Sequence, residues 1–460
     1  MPPSQKQTRL RVAICGAGIG GLTLALALSE YQDIEVEVFE AAKQLAEVGA
    51  GVGLFSRPWK VLQMLGLDQE LLATTDTKPR DGPVSSFNYR KSNQPVGFQF
   101  STLVTKGSLI LLHRADFQSV ILNHIPKSCR IHTSKRLRTF SQRQAGPIQL
   151  VFEDGTTTTC DVLVGADGVK SATRATMLGE RVEWMRSQGR EQEAADTALC
   201  IEPAWSGQVA YRTLIPVERL RGAAPRHEAL TTPMQYLGKG GFVITYPVQQ
   251  GKMINFVAFT FRHDLEGTQF PGPWVGPGER SKFAHVFADW EEDVQVLINC
   301  VDKTLAWAVH TVRPLRSFVS GRVALIGDAA HAMPPHQGSG AGQAIEDAYL
   351  LSRILGHPST TPSTIARALT IHDSIRRPLS HRVAQSCRQA GRYFSFELDP
   401  SELMPRVDLS SDFGIPRRDS DEWDCLQRLH ANMVRIWEWA WTTSVDDSIQ
   451  EAQRLLEAMT

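Results

Sequence analysis

Residues 322–348, RVALIGDAAHAMPPHQGSGAGQAIEDA, gather a carboxylate, two histidines and a run of glycines into one stretch. An apolar strand leading into Asp328, then a Gly/Pro-rich turn, then a helix is how a chain sets backbone N–H groups and a helix start against a polar cofactor. His336, within the PPHQG turn, is a residue type that can take up a proton near neutral pH, since a free imidazole titrates near about 6.5. Asp328 and His331 stand three apart, a spacing that could hold a metal ion, but no further ligand cluster accompanies them in the sequence. Ser171 and Ser339 lack a G-x-S-x-G setting, which argues against a hydrolase triad. The absence of a C-x-x-C pair argues against a flavin disulfide reductase.

The second glycine-rich loop, VAICGAGIGG over 12–21, ends a short apolar strand and opens an Ala/Leu-rich helix over 22–29. In a G-x-G-x-x-G reading, Gly16 makes the tight turn, Gly18 lets a pyrophosphate approach the backbone, and Gly21 lets the helix pack on the strand. A further strand, 34–39, ends in Glu40, close to the roughly 20-residue spacing of a ribose-binding acid. Strand, helix, strand and acid together make a nucleotide site the stronger reading of a pattern that is weak alone. An acid at this position favours a free ribose hydroxyl over a 2′-phosphate.

Between the two loops lies CDVLVGADGVKSATR over 160–174, and HRADF occupies 113–117. With these four pieces in order, the chain resembles the single-component FAD-dependent aromatic hydroxylases, the group of para-hydroxybenzoate and salicylate hydroxylases. The PPHQG turn and the late Trp-rich run RIWEWAW over 435–441 look most like the salicylate hydroxylase branch. The resemblance implies an FAD-binding enzyme that uses NADH or NADPH and O2 to hydroxylate a small phenolic substrate through a C4a-hydroperoxyflavin. The protein would position the ring, tune the flavin and exclude water. A salicylate-like acid is one candidate substrate, and oxidative dearomatisation of a substituted resorcinol is the same-class alternative. A non-catalytic binding protein on this flavoprotein fold is the alternative of another class, disfavoured by the intact GADG and GDAAH segments.

The resemblance also assigns roles. Gly16, Gly18 and Gly21 would face the FAD pyrophosphate, Glu40 the adenosine ribose, and Arg114 the pyrophosphate or ribose through its planar fork. Asp167 and Gly168 form the family's DG pair, touching both cofactors, with Arg174 assisting. Asp328 would bond the ribityl chain or a ribose, and Gly338, Gly340, Ala341 and Gly342 would offer N–H groups to the flavin's pyrimidine edge. Arg212 and Tyr246, in VAYR and ITYP, match substrate contacts of dearomatising phenol hydroxylases, and His336 would accept the phenolic proton. No second nicotinamide fingerprint is found, which fits a transient co-substrate sharing the groove.

These motifs require an α/β fold: a Rossmann-like FAD-binding domain interleaved with an antiparallel-sheet substrate domain, followed by C-terminal helices. The FAD-binding domain is expected from 8–80, 108–180 and 310–380, the substrate domain from 81–107 and 181–309, and a helical region over 381–460. Alternating runs over 208–215, 241–248 and 252–261 read as one antiparallel sheet punctuated by Gly/Pro turns. The highly charged 180–196 reads as a solvated surface loop. Trp423, Leu426, Leu429, Met433, Trp437 and Trp441 recur at helical spacing and are read as a docking or dimer face, so the chain is expected to be a monomer or homodimer. With 49 basic and 49 acidic residues there is no electrostatic case for nucleic acid or an anionic membrane. No run of 18 apolar residues could span a bilayer. Seven scattered cysteines and a polar 1–11 without the apolar core of a secretory signal point to a cytoplasmic protein with reduced thiols.

Overall fold

The computed structural model describes residues 8–45, 51–143, 146–398, 401, 403 and 420–459. Its first layer grows from apolar runs too hydrophobic to face water on either side. The strand Leu10–Cys15 is buried at five of six positions and Val162–Gly165 at all four, the pattern of a parallel sheet covered on both faces. Six strands form this sheet in the order Val319–Ser320, Val323–Leu325, Val162–Gly165, Leu10–Cys15, Ile34–Phe39 and Arg130–His132. All neighbours run parallel except the Val319–Ser320 and Val323–Leu325 pair. The carboxyl ends at Cys15, Phe39, Gly165 and Leu325 therefore share one edge, where open α/β sheets bind ligands.

The second layer is an eight-stranded sheet built around Ala204–Pro216, Met253–Phe261 and Gly241–Val248 as successive antiparallel neighbours. Pro83–Lys91 and Phe98–Lys106 complete one side, joined through a parallel pairing of Pro83–Lys91 with Met234–Gly238. Thr304–Thr311 and Val275–Gly278 form the other side. One face of this sheet packs Tyr211, Tyr236 and Phe256 against Phe283, Phe287 and Leu297. The opposite face carries Phe242, Phe259 and Phe261 and is covered in part by the helices Ile365–Phe394, Asp421–Arg435 and Trp439–Thr442.

Two expectations are corrected here. The Trp-rich stripe is internal rather than a docking or dimer face. Trp423, Trp437 and Trp441 are buried in the same cluster as Phe98 and Phe55, and Phe55 meets the rings of Trp437 and Trp441 at 5.7 and 5.5 Å. The charged segment 180–196 is helical rather than a loop, spanning the end of Ala172–Ser187 and most of Glu191–Ala198. Val182, Met185 and Ala194 bury a small core of their own while the charges face outward. Among the described residues, no helix is long and apolar enough to cross a membrane.

Candidate functional site

The glycine-rich loops meet at the carboxyl edge of the parallel sheet because each has lost its side chain where another backbone passes. At Gly16, with φ +105°, an added Cβ would lie 2.2 Å from the Ala166 carbonyl oxygen, and at Gly21 it would lie 2.0 Å from that of Gly16. Gly20 and Gly327 both close on Ala344, at 3.2 and 3.1 Å, so the first loop, the GDAAH turn and the helix Gly340–Gly356 come together. Gly18 differs: a Cβ there meets nothing within 4 Å. It stands at the N-terminus of the helix Ile19–Leu28 with extended backbone, where a group could approach the helical N–H groups closely. Glu40 reaches this loop, its two carboxylate oxygens accepting 2.7 Å bonds from the N–H groups of Ala17 and Ala42.

The DG pair is fixed by its own helix. Asp167 accepts bonds from the Ser171 hydroxyl, the Thr173 N–H and the Thr173 hydroxyl, so it caps Ala172–Ser187, while Gly168 turns with φ +74°. Arg174 is 1% exposed and donates to the carbonyls of Val169, Ile201 and Ala329, tying this loop to the GDAAH turn. Asp328 is exposed, and a Cβ on Gly340 would lie 4.0 Å from its Oδ1. Gly338 takes the left-handed conformation, φ +61°, directly before Gly340, Ala341 and Gly342 begin their helix. A carboxylate and a helix start thus border the same space. His331 engages Asp347 at 2.6 Å rather than Asp328, so the two do not converge on a metal.

Beneath the turn runs a buried ionic network that the sequence reasoning missed. The Asp347 carboxylate accepts the Gly327 N–H at 2.9 Å, His331 Nε2 at 2.6 Å and Arg376 Nε at 2.6 Å. Arg376 also donates to Glu346, which pairs with Arg57, and Arg57 reaches the Thr443 hydroxyl and the Ser444 carbonyl. Glu346, Asp347 and Arg376 are each 0% exposed. Burial alone would raise the Asp347 carboxyl, but His331 and Arg376 hold it far below the ordinary carboxylate range. Adjacent acids in an otherwise apolar helix were the available signal, because buried carboxylates require partners.

The substrate-side residues lie on one face of the eight-stranded sheet. Arg212 pairs across the ladder with Val257, which pairs with Ile244, and Tyr246 follows two positions on, so Arg212 and Tyr246 share a face across one intervening strand. Burial lowers the Arg212 guanidinium, with Tyr246 countering and the nearby Arg114 adding to the shift. Burial likewise raises the Tyr246 phenol, partly offset by Arg212, which keeps the hydroxyl protonated and able to donate. A Cβ on Gly51, in the strand Gly51–Leu54 that pairs with Ile110–His113, would sit 3.8 Å from Tyr246 Oη, so Tyr246 looks toward that segment.

His336 lies on the same face but nearer its covered end, four residues along the strand from Arg212, where its Nε2 meets Gln208 Oε1 at 2.8 Å. Phe242, Phe259, Phe261 and Phe394 surround the ring at 5.2–6.1 Å. Burial pushes the imidazole down to about 3. At neutral pH the ring is therefore in its neutral form, one nitrogen protonated and the other not.

An FAD binding domain model matches residues 9–207 and 289–386. An FAD-dependent monooxygenase of Strobilurus tenacellus is 34% identical, with 98% of each chain covered. A salicylate hydroxylase of Pseudomonas putida is 36% identical over 97% of this chain and 95% of its own. The solved structure of a salicylate hydroxylase substrate complex superposes with a TM-score of 0.78 at 30% identity, covering 97% of this chain and 98% of the other. The loops that meet around Gly18, the DG turn and the GDAAH segment fall within the matched domain, and the chain belongs to the FAD-dependent aromatic hydroxylases.

Proposed function

We propose that this FAD-dependent monooxygenase consumes NADH or NADPH and O2 to hydroxylate a small phenol, with a salicylate-like acid as the first candidate. The observation that carries the substrate side is Arg212. It is a half-buried guanidinium that no carboxylate pairs with among the described residues, set beside a protonated Tyr246 on a sheet face that looks toward the Gly51 segment. A cation in that position is costly until an anion joins it, and a phenolate or ring carboxylate supplies one. Held as a phenolate, the ring gains electron density at its ortho and para carbons.

The residues present fit FAD. The open cradle at Gly18, the exposed Asp328 and the helix start at Gly340 give a pyrophosphate, a polyol and a ring edge each a matching partner. When bound, FAD supplies the redox chemistry that joins a reduced nicotinamide, O2 and the ring. In this reading Arg212 binds the anionic oxygen, Tyr246 donates a second hydrogen bond to it, and the aromatic wall around His336 excludes water. The neutral His336 contributes shape and a fixed bond to Gln208 rather than a proton transfer.

The test is a panel of phenols and phenolic acids scored for stimulated NAD(P)H oxidation, with product masses. Gain of one oxygen atom marks hydroxylation, and gain of oxygen with loss of CO2 marks decarboxylating hydroxylation. A product that has gained oxygen and lost its aromatic absorbance marks dearomatisation, the reading that the Arg212 and Tyr246 pair also favours through its likeness to those enzymes. A panel that stimulates no oxidation and yields no oxygenated product refutes the proposal.

A further inference from the structure

Eight large apolar side chains are notably exposed among the described residues, and four of them, Leu214, Val275, Leu305 and Trp307, form one strip. They occupy three adjacent strands. Leu305 lies directly across from Arg212, Trp307 follows two positions along and pairs with Val275, and Leu214 is two positions beyond Arg212. By the alternation of the pleat all four share the face that carries Arg212 and Tyr246. The strip therefore begins at Arg212 and runs two strand spacings, about 10 Å, to the sheet edge. Its far end is not open surface in every direction. Trp274, next to Val275, takes the Lys170 ammonium over its ring at 4.1 Å, so the loop after Gly168 reaches down to the sheet edge there.

We infer that this strip receives an apolar substituent of the phenol, so that the substrate class is a phenol or phenolic acid bearing an alkyl chain or second ring rather than a compact one. This rests on the proposed placement of the phenol at Arg212. A compact ring held there would leave Leu305 and Trp307 wet in the complex, whereas a substituent pointing outward would cover them. The strip's continuity with the anion-binding head decides between occupants. Four side chains fall far short of the roughly 800 Å² that each partner buries in a stable dimer.

The experiment titrates FAD-loaded protein with a phenolic acid series carrying linear alkyl substituents from methyl to heptyl, read by perturbation of flavin absorbance, so that binding is measured independently of turnover. Affinity is expected to rise two- to fourfold per methylene over the first several carbons, the gain for burying a CH2 group. In Leu305→Ser, and separately in Leu214→Ser, the chain-length dependence should flatten while affinity for the unsubstituted acid stays the same. A series whose affinity is flat in the native protein overturns the inference. So do variants whose only effect is a raised KM for the reduced nicotinamide, or dissociation of a dimer in sedimentation with the series unchanged. Turnover of short phenols with a flat series would leave the proposed reaction standing and remove only this extension. A steep binding series without any oxygenated product would do the reverse.

Discussion

Three histidines are sealed in this fold as neutral rings, and mild acid should expose the cost. His336 is pushed down by burial to about 3, and His372 and His430 to about 4, against an ordinary value of 6.5. In the unfolded chain each takes up a proton as pH falls through 6.5, while the folded chain does not follow until far lower. The unfolded state then binds more protons, so stability falls with falling pH; it is complete above about 7 and drains away below 6.5. Each group contributes up to 1.36 kcal/mol per pH unit, or about 2 kcal/mol between pH 7.5 and 5. Together they account for about 6 kcal/mol, which rivals the whole stability of a typical domain, 5–15 kcal/mol. Urea unfolding at saturating FAD, followed at pH 7.5, 6.5, 5.8 and 5, measures this directly. The His430→Leu variant removes one of the three and should flatten the slope by about a third. A stability at pH 5 within about 1 kcal/mol of that at pH 7.5 would refute the reasoning, because then the buried rings must accept protons in place.

Gly18→Val should leave folding intact, since a Cβ there meets nothing within 4 Å, yet weaken FAD at least tenfold by filling the cradle; undiminished FAD occupancy after dialysis contradicts this. Arg212→Ala should keep the protein yellow while costing phenol binding roughly 1.5–3 kcal/mol, the worth of a charge-assisted hydrogen bond, and unchanged affinity for every accepted phenol takes Arg212 out of the pocket. Asp347→Ala strands His331 and Arg376 at full burial, so a loss of about 3–5 kcal/mol in urea unfolding is expected, together with faster FAD release as the Gly327 turn loses its anchor. A loss under about 1 kcal/mol would mean that the network relaxes freely.

What the sequence made legible follows a physical division. The glycine-rich edge is written in local terms, because Gly16, Gly18 and Gly21 recur at fixed spacing within one strand–turn–helix unit, and Asp167, Gly168 and Asp328 follow strands whose apolar runs are unmistakable. The rest depends on what a distant segment places alongside. Periodicity shows that the Trp423 to Trp441 stripe needs covering, yet only the tertiary fold reveals that Phe55, Phe98 and the sheet face do the covering. The charges of 180–196 outvote Val182, Met185 and Ala194 in any composition-based reading, although three apolar residues suffice to pin two short helices together. His336 marks the limit most clearly. Its residue type is plain in the sequence, but the four phenylalanines that bury its ring come from two strands and the helix Ile365–Phe394, and none of them is near it in sequence. The Arg57–Glu346–Asp347–Arg376 network joins the same class. Its acids lie one turn beyond the glycines that open their helix, and its arginines come from the helices Ser56–Met64 and Ile365–Phe394, so the Gly327 turn is braced by segments the motif itself does not contain.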